Sequence, residues 1–348
     1  MPPIDGMKTP PPRLRLGPKL HDSFFRALFG GHPLAAAGAL RSLLPPPLAA
    51  AIDFDRLERA EDDFVTARLS RRRADLVFRA PLRDQQTWLV WLFEQQHAAH
   101  RLMVWRVFDY TCAAWRDIAE RHRADHGRDL DALPAIIPLV LYTGRRPWRE
   151  PRTLTTLVDL PPPLLTHARP YLPEFTLHVD ALHATDDATL RARGAGPIAT
   201  LGWLLFKHAP RARDIAERMA GWIDELRAVA DAPGGGDALA TMVEYTLRVS
   251  ETRAATLGEV LGEALGDDGE EVVMTTGKML ELQGWKKGRE EGVSQGMTRI
   301  LLAQLEQRFG ALPRGLVERV QGETDHDVLA RWASRVLTAA SPDEVIEG

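Results

Sequence analysis

The chain has 348 residues, 45% of them apolar and 26% charged, which is enough for a hydrophobic core and favours two domains, or one domain with a large extension. Its net charge of −4 argues against a non-specific, histone-like DNA binder, because phosphate contacts need clustered Lys and Arg residues. Its single cysteine, Cys112, excludes an internal disulfide framework and a cysteine-rich zinc site, and indicates a reducing compartment, which we expect to be the cytoplasm.

The N-terminal segment and the apolar runs give no sign of export or membrane insertion. Residues 1–18 are rich in proline, so they predict a disordered or extended tail. This tail does not resemble a signal peptide, and no apolar run is long enough to span a bilayer. We therefore expect the protein to have no membrane partner.

A short first helix is predicted from Asp22 to Leu28. Phe24, Phe25 and Leu28 recur at helical spacing. Asp22 or Ser23 is available as the N-cap of this helix.

A β-hairpin is predicted next. Two apolar runs, residues 74–80 and 87–93, are rich in Val, Leu, Phe and Trp and are separated by the polar stretch PLRDQQ. A further strand, at residues 63–69, is predicted before the hairpin.

An amphipathic helix and a buried strand follow the hairpin. Between residues 99 and 123, apolar residues recur every three or four positions. The run AIIPLVLYTG, residues 135–144, predicts a buried strand, in which Pro138 indicates a bulge or an irregular start. The order βββαβ predicts an α/β fold with a mixed sheet flanked by helices. The helical stripe comprises Leu102, Trp105, Phe108, Cys112, Trp115 and Ile118.

The remainder of the chain is predicted to be mainly helical, with helices near residues 187–207, 211–231 and 238–265 packed on the α/β core. A final helical segment starts near Glu271 and carries glycines at four-residue intervals, from Gly284 to Gly296. The predicted organisation is a tail of residues 1–18, an α/β domain of residues 19–231, a helical connector of residues 238–296 and a small helical domain of residues 297–348.

The predicted hairpin brings two carboxylates together. If its turn is regular, Asp75 faces Glu94, and opposed side chains lie on one face with Cβ atoms about 4.5–5.5 Å apart. Gln96 shares the face of Glu94, whereas Gln95 points to the other face. Such an oxygen-rich set suits Mg²⁺, which accepts one or two carboxylates and keeps several waters. Alternatively, the two acidic residues are ordinary solvated strand ends.

Several segments resemble successive blocks of the Rpn family of recombination-promoting nucleases, also called putative transposases. They are HDSFFRALF, RRRADLVFRA, WLFEQQ, RVFDY and IIPLVLYTGRRPW, and their order and spacing match the family too. The resemblance is strong over residues 20–150 and continues to about residue 230. It implies a PD-(D/E)XK, restriction-endonuclease-like core and cleavage of DNA that depends on Mg²⁺, with Mn²⁺ as an alternative.

The resemblance also assigns residue roles at the predicted metal site. The metal-binding Asp of the family falls on Asp75, and its Glu-His-Gln block falls on Glu94, Gln95 and Gln96, so Gln95 replaces the family's His. The implied catalytic set is Asp75, Glu94 and Gln96, with Asp75 and Glu94 as metal ligands. Asp22 resembles the acidic residue of the family's first helix and is either a further metal ligand or the helix cap.

Other residues are candidates for contacts with DNA or for structural roles. Arg106 and Tyr110 match an Arg and a Tyr of the family and share a helix face that could approach phosphate. Tyr142 matches the family's Tyr-Asn-Gly block and is expected to support a turn. His97 and His100 lack a third zinc ligand at suitable spacing. The run Arg71, Arg72 and Arg73 could contact the DNA backbone, or be a solvated surface.

The expected function is that of a Mg²⁺-dependent DNA endonuclease linked to recombination or mobile elements. Two alternatives use the same fold: a catalytically inactive module that binds DNA or proteins, and a transposase that joins strands with a 3′-hydroxyl in place of water. The regularly spaced glycines each cost about 1 kcal/mol in a helix, which a close helix partner would offset. They predict a homo-oligomer formed through the C-terminal helices.

Overall fold

The computed structural model describes residues 18–60, 76–83, 88–323 and 325–347. Its contacts divide the chain into a first unit that ends at Met274 and a second unit that begins at Thr275. This boundary lies inside the segment assigned above to a helical connector. Across the described ranges, no helix combines the length and the apolar character needed to cross a bilayer.

The first unit is built around a five-stranded mixed sheet in which the strands follow one another in chain order. In the described residues, the second strand is antiparallel to the first and the third, whereas the third, fourth and fifth run parallel to one another. This sheet and its flanking helices confirm the predicted α/β fold class. The strands are β1 (Glu58–Arg59), β2 (Leu76–Pro81), β3 (Trp88–Gln96), β4 (Ala135–Tyr142) and β5 (His178–Ala181).

Helices cover the sheet and continue to the C-terminus. The helices that lie before Met274 or begin before it are α1 (Pro18–Gly31), α2 (Pro33–Ser42), α3 (Pro46–Ala51), α4 (Met103–His126), α5 (Pro162–Ala168), α6 (Asp187–Ala192), α7 (Pro197–His208), α8 (Ala216–Met219), α9 (Ile223–Ala230), α10 (Gly235–Val249), α11 (Ala254–Leu265) and α12 (Asp267–Phe309). The remaining helices are α13 (Arg314–Gly322), α14 (His326–Arg335) and α15 (Pro342–Glu347).

The predicted hairpin is confirmed as β2 and β3, with the predicted register. Leu76 faces Phe93, and this pairing continues without interruption to Pro81 and Trp88. Strand β3 runs three residues beyond its predicted end because β4 pairs with it as far as Gln96. The predicted strand at residues 63–69 lies outside the described residues.

The two faces of β3 belong to different apolar clusters. Leu89, Trp91 and Phe93 lie in the large core that also contains side chains of α1, α7, α10 and α11. The intervening residues Val90 and Leu92 pack in a second cluster with residues of α4. The sheet is therefore covered on both sides, and the helices predicted to pack on the core do so.

The buried face of α4 is not the predicted one. Leu102 and Trp105, at the start of the predicted stripe, are 46% and 50% exposed, although Ile118 at its other end packs with the sheet. The buried side of α4 instead carries Met103, Val107, Tyr110 and Ala114. Leu102, Trp105 and Phe108 line a cavity of about 460 Å³, together with Leu154, Leu157, Val158, Leu172 and Pro173.

Three further predictions are corrected. Helix α1 begins at Pro18, four residues before Asp22, so Asp22 lies inside the helix and is not its N-cap. Strand β5 was missed because it is only four residues long and its pairing with β4 is long-range. The helix predicted at 187–207 is two helices, because Gly194 and Gly196 adopt positive φ between them.

The second unit has a small apolar core of its own. Leu301 and Leu305 of α12 pack with Leu316 of α13 and Trp332 of α14. Asp325 caps α14 by accepting hydrogen bonds from the backbone N–H groups of the next turn.

Gly38 provides a stability test of the packing of α2 in the first unit. A Cβ there would lie 1.9 Å from the backbone carbonyl oxygen of Ala195, which a side-chain rotation cannot relieve. We expect Gly38→Ala to lower the free energy of unfolding by about 1–3 kcal/mol in a urea titration. The control is Gly31→Ala, where an added Cβ meets nothing within 4 Å. Equal stability of the two variants would contradict this packing.

Candidate functional site

Glu94 and Gln96 lie at the carboxyl end of β3. Glu94 is 1% exposed and faces Val140 of β4, and Gln96 is half-buried and faces Tyr142. Because side chains alternate along a strand, both lie on the face covered by α4, and Gln95 lies on the opposite face. Asp75, the residue immediately before β2, lies outside the described residues, so its pairing with Glu94 stays a prediction.

The side chain of Gln95 and the backbone of Gln96 hold the end of β3 to the end of β4. The Gln95 amide Nε2 donates to Thr143 Oγ1 at 2.7 Å, and the Thr143 backbone N–H donates to the Gln96 carbonyl at 2.9 Å. Gln95 and Thr143 are both buried. These bonds satisfy buried polar groups and restrict the position of Gln96.

The predicted phosphate-binding residues of α4 lie one turn apart. Tyr110 is 8% exposed and packs against Val77, Val90 and Leu92 on the α4 face of the sheet. Arg106 is partly buried. The other predicted contacts, from Arg71, Arg72 and Arg73, lie outside the described residues.

Asp22 makes a local ion pair within α1, in which Arg26 Nε donates to Asp22 Oδ1 at 3.0 Å. Among the side chains that the structure describes, no group of three or more His, Cys, Asp or Glu residues is placed to hold a metal ion. A metal site with several acidic ligands at Glu94 would therefore include a residue outside the described ranges, and Asp75 is the predicted one. The oxygen donors of Glu94 and Gln96 fit a hard cation such as Mg²⁺.

His100 and Tyr142 have structural partners. His100 Nδ1 accepts a hydrogen bond from the backbone N–H of Leu102 at 3.1 Å, just before α4 begins. Tyr142 is buried, with its ring packed edge-on against Trp148 at a centroid distance of 5.1 Å. Gly144 packs against this ring so closely that an added Cβ would lie 2.3 Å from it. Tyr142 therefore supports the turn after β4, as predicted.

A histidine pair near the end of β3 was not predicted. The rings of His21 and His97 stack with centroids 4.5 Å apart, and His21 Nδ1 lies 2.8 Å from the Tyr245 hydroxyl. Burial, with smaller contributions from the nearby His97 and Arg211, lowers the pKa of His21 to about 4. These residues are far apart in sequence, so no local spacing could have indicated that they meet.

Comparison with known proteins gives a family match over most of the first unit. A family model described as "Putative transposase, YhgA-like" matches residues 19–234. The Escherichia coli (strain K12) protein named "Inactive recombination-promoting nuclease-like protein RpnE" is 28% identical over 311 residues, which cover 88% of this chain and 96% of that protein. No solved structure matches the chain.

The buried His21 predicts a loss of stability in mild acid. Because burial lowers its pKa from 6.5 to about 4, the unfolded chain binds a proton between these pH values that the folded chain excludes. We expect the free energy of unfolding to fall as the pH decreases through this window, by roughly 3 kcal/mol from His21 alone. Urea titrations at several pH values measure this loss.

The matched variants are His21→Gln and His167→Gln, the latter on the exposed surface of α5. We expect the first to weaken the pH dependence of stability and the second to retain it. The same pH dependence in wild type and His21→Gln would contradict the assignment.

Proposed function

This chain belongs to the family of YhgA-like putative transposases, and from that premise we propose that it is a Mg²⁺-dependent DNA endonuclease that hydrolyses phosphodiester bonds during recombination or the movement of mobile elements. The proposed catalytic residues are Asp75, Glu94 and Gln96. Its relative RpnE is named an inactive recombination-promoting nuclease-like protein, and the mention of recombination and nuclease in that name supports DNA as the partner.

The burial of Glu94 is the observation that supports this site most. A carboxylate that is 1% exposed is costly unless hydrogen bonds, an opposite charge or a metal compensates it. Glu94 lies at the end of a central strand, on one face with Gln96 and one residue beyond the described pairing of Leu76 with Phe93. A second carboxylate at Asp75 would complete a pair of oxygen ligands for one divalent ion.

The residues of the site have separate roles in the proposed reaction. The carboxylates of Asp75 and Glu94 bind the ion, which when bound lowers the pKa of a water molecule and offsets negative charge on the scissile phosphate. The Gln96 amide orients the attacking water through hydrogen bonds. Gln96 carries no charge, unlike the lysine common at this position in the wider fold, so we expect slower catalysis. Arg106 and Tyr110 are the proposed phosphate contacts on α4.

The second candidate is a catalytically inactive module that binds DNA or proteins through the same fold. The word "inactive" in the name of RpnE favours it, because that protein aligns with nearly the whole of this chain. Strand transfer is a further alternative. In that reaction a 3′-hydroxyl takes the place of the attacking water at the same metal site. The retention of Asp75, Glu94 and Gln96 together supports activity.

We also propose that the chain forms a homo-oligomer through its C-terminal helices. Leu282 and Ile300 of α12 are more than half exposed, although both are large and apolar. A Cβ at Gly296 would meet nothing within 4 Å, so that position is open to a second copy.

Plasmid cleavage tests the nuclease. We expect purified wild-type protein to nick supercoiled plasmid with Mg²⁺ or Mn²⁺ and not with chelator. Asp75→Ala and Glu94→Gln should each lower the rate by at least about 100-fold, because each removes an ion ligand. Gel electrophoresis of time courses measures the rate.

The matched control is Glu58→Gln, which neutralises an exposed carboxylate on β1 that pairs with Arg79. It should cleave at the wild-type rate. If all proteins behave alike and no product depends on metal, the nuclease proposal is wrong and the inactive module is favoured.

Light scattering after size exclusion tests the oligomer. We expect the full chain to elute as a dimer or larger species and Gly296→Leu to shift it towards the monomer. Gly315→Leu, at a similarly open glycine of α13, is the control and should not change the mass. A monomeric wild type would exclude the proposal.

A further inference from the structure

Two histidines lie one turn apart near the C-terminal end of α4. They are His122 and His126, the first and last residues of the run HRADH, and side chains four residues apart lie on one face of a helix. Their rings stack, with centroids 4.3 Å apart and planes inclined by 20°. Two histidines at this spacing on one helix face are the zinc ligands of a common metal-binding motif.

The His126 ring is oriented as a metal ligand would be. Its Nδ1 lies 3.1 Å from the backbone carbonyl oxygen of His122. A carbonyl oxygen only accepts hydrogen bonds, so Nδ1 carries the proton and Nε2 of the neutral ring has a free lone pair. Metal-binding histidines generally donate their second nitrogen to a carbonyl or carboxylate, which fixes the ring and its tautomer. His126 is also exposed, so an ion can approach its ring from solvent.

The His122 ring supplies a second nitrogen. Its Nε2 is buried and makes no hydrogen bond to any described residue, although most buried polar atoms have a partner. Two nitrogens bound tetrahedrally to one Zn²⁺ lie about 3.3 Å apart, because each Zn–N bond is about 2.0–2.1 Å long. Rings with centroids 4.3 Å apart are near the spacing that such an ion needs. Coordination would therefore satisfy an atom that the fold leaves unpaired.

The charges around the two rings favour a cation. Arg123 forms an ion pair with Asp129, and Arg128 forms one with Asp131 at 2.8 Å, so neither arginine adds uncompensated positive charge. The carbonyl groups at the C-terminal end of a helix carry partial negative charge, which stabilises cations there.

We propose that His122 and His126 bind a divalent transition-metal ion, of the class of Zn²⁺, Ni²⁺ and Cu²⁺, through their Nε2 atoms. Imidazole nitrogen suits these ions, whereas Mg²⁺ prefers oxygen ligands. The described side chains offer no group of three or more His, Cys, Asp or Glu residues for a metal, so water completes the coordination of the ion. The site lies roughly 24 Å along α4 from Arg106, at a rise of 1.5 Å per residue, and does not depend on the proposed nuclease.

The bound ion would stabilise the last turn of α4. Residues four apart present both nitrogens to one ion only while the backbone between them is helical. An ion that binds the folded chain in preference to the unfolded one raises the melting temperature.

Calorimetric titration of the full chain with Zn²⁺, in excess Mg²⁺ to occupy oxygen-rich sites, tests the proposal. We expect His122→Gln and His126→Gln each to weaken the binding of one equivalent of Zn²⁺ by at least about tenfold. The matched control is His167→Gln, at an exposed histidine of α5, which should bind as the wild type does. Glu94→Gln should also retain zinc binding. Loss in Glu94→Gln with normal binding in both α4 variants would place the zinc at the proposed catalytic site and overturn this one.

Electron paramagnetic resonance with one equivalent of Cu²⁺ counts the nitrogen ligands. We expect coupling to two imidazole nitrogens in the wild type and to one in His126→Gln. The same two-nitrogen spectrum in the variant that lacks both histidines would overturn the site.

Melting temperatures separate metal binding from folding. Without metal, His126→Gln should melt as the wild type does, because its side chain is exposed. Zn²⁺ should raise the melting temperature of the wild type and of His167→Gln, and not that of His126→Gln. An equal rise in all three proteins would contradict the proposal.

Discussion

The burial of strand β3 on both faces is the constraint on which the first unit depends. β3 is the middle strand of the sheet and is hydrogen-bonded to β2 on one edge and to β4 on the other. From Leu89 to Gln95, every side chain is more than nine-tenths buried. A polar side chain in such a strand has no water to bind and must be satisfied by other parts of the fold.

The polar run at the end of β3 is therefore costly, and the fold compensates it in different ways on the two faces. Gln95 is satisfied by Thr143, which also closes the end of β4 against β3. Glu94 is buried on the α4 side of the sheet, opposite Val140 of β4. A buried carboxylate at the end of a central strand is compatible with the proposed ion site and connects the end of β3 to the proposed chemistry.

Parallel pairing from β3 to β5 brings the ends of three strands to one edge of the sheet. Because the three strands run in one direction, the segments that follow them emerge side by side. Glu94 and Gln96 lie on the α4 face of the sheet, whereas the His97 ring stacks on His21 of α1.

Local sequence determined the hairpin, its register and the family. The apolar runs of β2 and β3 and the short polar stretch between them predicted which residues pair, because the length of a hairpin loop fixes the register. The motif order across residues 20–150 identified the family, and the match over residues 19–234 confirms it. The hairpin signal is local, and the family signal depends on the order of motifs along the chain.

The tertiary structure decided what depends on contacts between distant segments. Two sets of apolar residues compete on α4, and the set through Met103, Val107 and Tyr110 packs against the sheet. Strand β5 forms by pairing with the free edge of β4. Helix α1 starts at Pro18, so Asp22 lies inside it and pairs with Arg26 one turn later. His21, His97 and Tyr245 have no periodic relation in sequence. They meet because α1, α10 and the end of β3 pack around the buried His21 ring, an arrangement that only the complete fold specifies.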